Sequence, residues 1–443
     1  METTTIDATS TKVDKINERI PRTSKPRVVI IGGGFAGIEL VSALEKLDVQ
    51  VVMVDKRNHH TFIPLLYQVA TAGLSPGDIS SPLREFLQNN KNFHFRMAKV
   101  QNILSDEKKI VTNLGELEYD YLVIASGATT NFFGNDQLKK NALKLREMSD
   151  AVELRVHLLE NFEEALQLYD NEADELEKHM NIVIVGGGPT GVEMAGAIGE
   201  LKRNVLPKDY PELDFSQMKI HLVENQTKIL AAMSEKSAKR AERYVRKFGV
   251  DLHLGKMVKG YENGVVSLSD GTSIKTNTLI WAAGVKGSLV PGLREGAVER
   301  GRVAVDEFNR AVGHDYIFAI GDVSIQKVEK YPNGLPQLAP VAIQQAKHLG
   351  ANLGRIIRKE NPVPFKYTDK GTMATIGRNK AVVDAPFGIR LGGFIGWFVW
   401  MFVHLFSIVG IRRKVLVFSN WIWNYLTYNR GNRLIINKDT DDV

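Results

Sequence analysis

Two spacings of apolar positions alternate along most of the chain. Residues 27–31 (RVVII) are a short β-branched run that leads directly into GGGFAG. IELVSALEKLD follows, with Ile38, Val41, Leu44 and Leu47 at helical spacing, and VQVVMVD then reads as a second strand closing at Asp55. The same order returns near residue 181. There NIVIVGGGPTGVEMAGAIGEL repeats strand, glycine turn and helix, and MKIHLVE supplies a strand ending at Glu224. Two copies of one motif, 154 residues apart, predict two nucleotide-binding domains rather than one long sheet.

The remaining pattern fills in around these units. YDYLVIASGATTNFFG is an apolar strand breaking at Ser126-Gly127, its counterpart is NTLIWAAGV at 277–285, and YIFAIGDVS at 316–324 is a strand ending in Gly-Asp. Residues 140–180, rich in Leu, Glu and Lys, predict helix, and the alternation of 265–276 around Asp-Gly predicts a hairpin. The first 26 residues lack the apolar core and cleavage site of a secretory signal and read as a flexible tail. From 371 the character shifts: Leu391–Ile411 is 21 residues without a formal charge, followed by Arg412-Arg413-Lys414. The expected fold is α/β, with two Rossmann-like dinucleotide-binding domains. The first covers 27–150 and 291–370, the second 151–290, and a C-terminal region 371–443.

Composition narrows the chemistry. At 443 residues the chain is too long for one compact core, and 44% apolar with 24% charged residues is ordinary for a globular protein. The net charge of +6 allows an anionic surface as partner without requiring nucleic acid. Cysteine is absent, which excludes a disulfide framework, a Cys-ligated zinc or iron–sulfur cluster, a cysteine nucleophile and a dithiol redox centre. The ten histidines show neither H-E-x-x-H nor paired metal spacing, so no metal site is expected. Neither G-x-S-x-G nor G-x-x-x-x-G-K-[ST] occurs.

Gly32, Gly34 and Gly37 form G-x-G-x-x-G, as do Gly186, Gly188 and Gly191. The first glycine permits the turn, the second admits a pyrophosphate to the backbone, and the third lets the helix close on the strand. Asp55 and Glu224 fall where an acid accepts hydrogen bonds from a ribose 2′-hydroxyl. A carboxylate at 224, with no Arg in Asn225-Gln226-Thr227, repels a 2′-phosphate and predicts NADH over NADPH. Two dinucleotide sites imply a resident FAD and a visiting nicotinamide nucleotide, hence hydride transfer.

In the C-terminal run, Trp397 and Trp400 lie among Phe, Val, Leu and Ile, and Trp421, Trp423, Tyr425 and Tyr428 follow beside Arg430 and Arg433. Aromatic and basic residues together suit the headgroup layer of an anionic leaflet. A spanning helix satisfies the length rule, and a buried core or dimer helix is a third reading. A 21-residue uncharged run has no role on phosphates, so nucleic acid is set aside.

VIIGGGFAGIE, the stretch 55–74 (DKRNHHTFIPLLYQVATAGL), ASGATTNFFG, VGGGPTGVEMAGA, WAAGV, FAIGDV and GTMATIGRNKAVVD together resemble type II NADH dehydrogenases, single-subunit NADH:quinone oxidoreductases of the two-dinucleotide-binding flavoprotein superfamily. The resemblance implies non-covalent FAD at Gly32, Gly34, Phe35, Ala36, Gly37, Asp55, Lys56, Gly127, Asp322 and Ala342. It implies NADH at Gly186, Gly188, Pro189, Thr190, Gly191, Glu224, Ala283 and Gly284. Glu193 matches an acid near the isoalloxazine, and Lys380 a position at the flavin edge; the alternatives are a helix-surface carboxylate and a solvated lysine. His60 has a flavin-side role or is part of a polar loop. The family's quinone motif A-Q-x-A-x-Q reads here Ala339-Pro340-Val341-Ala342-Ile343-Gln344, so Pro340 replaces one glutamine while Gln344, followed by Gln345, remains. Quinone contact is expected at Pro340, Ile343, Gln344 and Gln345.

The implied activity is electron transfer from NADH through FAD to a membrane quinone, without proton pumping. The implied setting is a homodimer held as a monotopic protein on the cytoplasmic face of the cell membrane. Two rivals stay open: a soluble NADH-dependent reductase of a ferredoxin-type carrier, and a slow-turnover NADH-responsive binding or signalling flavoprotein.

Overall fold

The computed structural model describes residues 15–169, 171–428 and 430–436. The chain divides into two compact units. One takes residues up to His60, Pro82–Thr129 and Lys286–Thr368; the other takes Thr61–Ser81, Thr130–Val285 and the chain from Asp369 onward.

The first unit is built on a five-stranded parallel sheet in the order Ile317–Ala319, Tyr121–Ile124, Arg27–Ile31, Gln50–Asp55, Phe93–Met97. Every residue of Arg27–Ile31 is buried, as a strand covered on both faces requires. Helix Phe35–Leu44 follows the glycine turn and stops before Leu47, short of the helical spacing read from the sequence. It packs on helix Ala339–Ile357 through small residues: a Cβ on Gly350 would lie 2.5 Å from that of Ala43. An antiparallel sheet of Val100–Leu104, Lys109–Thr112 and Gly115–Glu118 completes the core on one side.

The expected tail needs correcting where it is described. Positions 1–14 lie outside the described residues, but Ile16 and Ile20 are buried in the first unit's core with Ile103, Ile110 and Leu117. The backbone N–H groups of Lys15 and Ile16 both donate to the Leu114 carbonyl. Two isoleucines four apart in a polar segment supply enough apolar area to hold it down.

The second unit repeats the architecture. Its parallel sheet runs Leu143–Lys144, Thr278–Trp281, Ile182–Val185, Ile220–Glu224, Val250–Leu254. Helices Met148–Ala165, Pro189–Asn204 and Glu235–Lys247 accompany it. The expected hairpin is formed by Val265–Leu268 and Ser273–Lys275. The C-terminal segment is part of this unit and not a separate region: strands Thr372–Thr375, Ala381–Asp384 and Arg390–Gly392 pair antiparallel, then two helices follow. Residues 61–81 also belong here, through polar contacts to those helices.

The uncharged run is not one helix. It divides into strand Arg390–Gly392, helix Gly393–Ser407 and a break at Gly410, whose φ is +84°. Helix Ile411–Thr427 then carries the basic triplet. Fifteen helical residues reach about 22 Å, short of the ~30 Å hydrocarbon layer. No helix among the described residues is long and apolar enough to cross a membrane. Burial within this chain is also slight: Gly396 and Trp400 on the first helix, Val417 on the second.

Ile16→Ala removes three buried carbons from the first unit's core, so stability should fall by about 2–4 kcal/mol. A urea midpoint that moves down at unchanged slope would show it, and an unmoved midpoint would return the segment to a tail.

Candidate functional site

The two glycine turns are built alike. Gly32 and Gly186 have φ of +110° and +109°, which side chains disfavour. A Cβ on Gly37 would strike the Gly32 carbonyl oxygen, and one on Gly191 the Gly186 carbonyl oxygen, so each helix seats directly on its turn. At Gly34 and Gly188 an added Cβ meets nothing within 4 Å. That open backbone, at the N-terminus of a helix, is the place a pyrophosphate needs. The residues present therefore fit a dinucleotide at each turn.

Each acid at the end of the second strand is tied to its loop. Asp55 Oδ2 accepts from the Gly33 N–H at 2.7 Å, and its Oδ1 from the Arg57 N–H at 2.8 Å. Glu224 Oε2 accepts from the Gly187 N–H at 2.5 Å, and its Oε1 from the Gln226 N–H at 2.8 Å.

Other predicted residues gather around these turns within each unit. In the first, Gly321 has φ +73°, and a Cβ there would lie 3.3 Å from both Ala36 and Ala342. Those two alanines are packing residues beneath the Gly321-Asp322 turn. Asp322 is half-buried, Lys56 exposed, and Gly127 has φ +71° with open space beside it. His60 is buried under the loop: Nδ1 lies 3.2 Å from the Gly33 carbonyl, and its ring stands edge-on to Phe35 at 5.0 Å. It is not part of an exposed polar loop. In the second unit Pro189 and Thr190 are exposed at the helix start, and the Gly284 carbonyl accepts from the Asn131 N–H.

The residues of the predicted quinone motif and its neighbour also make contacts within the first unit. Pro340 sits in the first turn of helix Ala339–Ile357, where a missing N–H costs nothing. Gln345 is buried; its Oε1 accepts from the Gly321 N–H at 2.8 Å and its Nε2 donates to Gln326 at 3.2 Å. Gln344 donates from Nε2 to the Thr368 carbonyl at 3.0 Å and accepts from the Thr368 N–H at 3.0 Å. Ile343, beside it, is half-buried.

A cavity of about 110 Å³ lies wholly in the second unit. Tyr67 and Gln68 line it from the 61–81 segment, Glu193 and Glu200 from helix Pro189–Asn204, and Thr375 and Arg378 from the C-terminal hairpin. Trp397, Trp400, Trp421, Tyr425 and Tyr428 form the aromatic part. Glu193 reaches it because Gly196 lets its helix touch the hairpin: a Cβ there would lie 2.8 Å from the Ile376 carbonyl carbon. Polar bonds fix the walls. Trp421 Nε1 donates to Gln68 Oε1 at 2.8 Å, Asn424 Nδ2 to the Gly73 carbonyl at 2.9 Å, and Arg430 pairs with Glu200 at 3.0 Å. The Arg378 guanidinium lies over the Tyr428 ring at 3.5 Å and the Tyr425 ring at 4.7 Å.

Glu193 is buried, not a helix-surface carboxylate. Desolvation pushes its pKa up to about 8; the Thr375 N–H at 3.4 Å and the nearby Trp400 indole pull weakly the other way. No hydrogen bond closes between that indole N–H and the carboxyl, and the N–H stays buried without a partner. Lys380 is half-buried with Nζ 4.5 Å from the Phe248 ring centre; desolvation lowers its pKa, against the pull of Glu200. Sequence reasoning missed the cavity: its signal was Tyr67-Gln68 in the 55–74 stretch and the tryptophans assigned to the membrane. Among the described residues no group of three His, Cys, Asp or Glu side chains could hold a metal ion.

The pyridine nucleotide-disulphide oxidoreductase family profile matches residues 26–346, and the NDH2 C-terminal domain profile residues 370–428. The type II NADH:quinone oxidoreductase Ndh of Mycobacterium tuberculosis is 34% identical over 429 residues, covering 92% of this chain and 90% of that one. The chain belongs to the type II NADH:quinone oxidoreductase family. The Staphylococcus aureus enzyme of that name is 31% identical over 389 residues, covering 84% of this chain and 93% of its own. NDH2 from Plasmodium falciparum, solved in complex with NADH, shares the fold at TM-score 0.84 and 20% identity, covering 93% of this chain and all of that one. Family membership through a disulphide-oxidoreductase profile coexists with a chain that has no cysteine, so thiol chemistry is closed to its own residues.

Because the folded pKa of Glu193 exceeds its ordinary 4.5, the folded chain keeps a proton that the unfolded chain loses between about pH 4.5 and 8. Stability should fall as pH rises through that window, and Glu193→Gln should flatten the fall. Denaturant melts at pH 5, 6.5 and 8 give the comparison; parallel curves would contradict the burial argument. Gln344→Ala should lower stability by about 1–2 kcal/mol through its two lost bonds to Thr368 and leave the quinone KM within twofold. An unchanged melt with a tenfold higher quinone KM would instead support it as a quinone contact.

Proposed function

We propose that this chain oxidises NADH on a non-covalently held FAD and delivers the electron pair to a quinone, without proton pumping. The observation that carries the reading is the duplicated glycine turn with its strand-end acid, joined in one sequence to the family's C-terminal domain. That domain, with 34% identity to a quinone oxidoreductase along most of the chain, weighs against the ferredoxin-type and signalling readings. Bound FAD supplies the two-electron relay between a hydride donor and a quinone.

The chain's own residues divide the remaining tasks. Gly32, Gly34 and Gly37 present the backbone to the FAD pyrophosphate, with Asp55 toward the ribose. Gly186, Gly188 and Gly191 do so for NADH. Glu224 sets a negative charge where NADPH carries its 2′-phosphate. The aromatic cavity suits a planar quinone headgroup: Trp397, Trp400 and Tyr425 line it, and the Trp400 indole N–H has no hydrogen-bond partner. With a pKa of about 8, Glu193 holds a proton on its carboxyl at neutral pH, available to a quinone oxygen as that oxygen gains charge.

The membrane supplies the quinone. Phe394, Phe398, Phe402 and Phe406 form an exposed stripe at four-residue spacing on the first C-terminal helix, and Ile422, Trp423 and Leu426 are exposed on the second. An apolar stripe facing outward, with Arg412-Arg413-Lys414 in the first turn of the second helix, suits monotopic insertion into an anionic leaflet from the cytoplasmic side. The same region is the proposed homodimer contact.

With quinone saturating, kcat/KM should be at least tenfold higher for NADH than for NADPH, and Glu224→Gln should narrow the ratio. Steady-state absorbance at 340 nm measures both. Equal efficiencies would sink the role of Glu224, and NADH oxidation by soluble dyes but never by quinone would sink the function itself.

A further inference from the structure

Helix Glu235–Lys247 carries six basic residues and two acidic ones, and they are sorted by side. Lys236, Arg240, Arg243 and Lys247 recur at intervals of four, three and four, which sets them in one row along the helix. Lys236, Arg243 and Lys247 are exposed and Arg240 is half-buried. Glu235 and Glu242 lie off this row, where Lys239 and Arg246 pair with them at 3.4 and 3.0 Å. The buried face, made by Ser237, Ala238, Ala241 and Val245, turns into the second unit. The row is a strip of positive charge that the core does not require.

Hydrogen bonds fix this helix to the C-terminal hairpin within the same unit. Asp384 Oδ1 accepts from the hydroxyls of Ser234 and Ser237 at 2.9 and 2.6 Å, and its Oδ2 from the Ser234 N–H at 2.6 Å. Further along, the Arg240 guanidinium lies against Gly392, where a Cβ would strike it, and the Tyr244 hydroxyl stands 3.4 Å from the place of a Cβ on Gly393. The basic row thus borders the start of helix Gly393–Ser407, whose Phe394, Ile395 and Phe398 are exposed. The tip of the hairpin is Pro386-Phe387-Gly388-Ile389. Phe387 is 101% exposed, and its φ of +61° is a left-handed conformation that side chains disfavour. Ile389 is 52% exposed, and Arg390 beside it is exposed too. The fold gains nothing from an aromatic ring held in water on a strained turn, and such a ring signals a contact outside the chain.

We propose that the hairpin tip and the basic row of helix Glu235–Lys247 form a second lipid contact, in which Phe387 and Ile389 enter the interface of an anionic bilayer while Lys236, Arg240, Arg243 and Lys247 lie over its phosphates. The proposal rests on the reading of the two C-terminal helices as the membrane face. It adds to that face a helix that accompanies the parallel sheet of the second unit. Apolar side chains bordered by a row of cations match the acyl and phosphate layers of a leaflet. A soluble polyanion would engage the row and leave Phe387 in water, so the bilayer accounts for both features at once.

The test uses the full-length, FAD-loaded protein, sedimented with vesicles of phosphatidylcholine alone or with about a third phosphatidylglycerol. Lys236→Gln combined with Arg243→Gln should lower the partition coefficient about tenfold to thirtyfold on the anionic vesicles and change it less than about twofold on the neutral ones. Phe387→Asn, which tolerates the left-handed turn, should lower it about tenfold on both. Thermal melts matching wild type show that these surface variants fold. Because the chain has no cysteine, Phe387→Cys also places a single environment-sensitive fluorophore at the tip, and its emission should shift to the blue on anionic vesicles. Wild-type vesicle binding by either variant, or an unshifted label, overturns the proposal. So does a change from dimer to monomer with vesicle binding intact, which would give this face to a second copy of the chain. Phe402→Ser tests the C-terminal helix by itself: weaker binding there beside unaffected hairpin and basic-row variants sinks this proposal alone, whereas a wild type that binds neither kind of vesicle sinks the membrane reading of the helices as well.

Discussion

A missing Cβ at two positions governs both halves of this molecule. Gly37 and Gly191 let a helix rest on the carbonyl of the first glycine in its own turn, a contact no other residue permits. Only with the helix so close do its first N–H groups converge on the open backbone at Gly34 and Gly188. Sheet order, helix direction and the aim of the strand-end acids follow from that seat. The apolar core stabilises each unit, but the two turns decide where a dinucleotide can lie.

A different principle shapes the aromatic cavity. Its walls come from segments far apart in sequence, and polar side chains hold them. Gln68, Asn424, Glu200 and Arg430 fasten the 61–81 segment and the C-terminal helices to helix Pro189–Asn204. Buried polar pairs of this kind are costly unless each partner is met, so they specify one arrangement rather than many. Glu193 sits at the end of this scaffold with too few donors to stay ionised, and its raised pKa is the electrostatic result.

The glycine turns, strand-end acids, parallel sheets and hairpin were legible in the sequence because each is written in consecutive residues. What was not legible depends on partners distant in the chain. Ile16 and Ile20 looked like part of a polar tail because their core neighbours come from strands after residue 100. Gln344 closes the family motif and Gln345 follows it, and their bonds to Thr368 and Gly321 could not be read from the motif. The 21-residue run satisfied a length rule that counts charges and overlooks the left-handed turn at Gly410.

The bonds from Asp55 and Glu224 to their loops have one more implication. Each loop is held in its working shape by the protein alone, so an arriving nucleotide does not have to order it. Association can then be fast, and dwell time is set by contacts made further along the ligand rather than by the loop. One loop design can thus serve a cofactor that stays for the protein's lifetime and a substrate that leaves at every turnover.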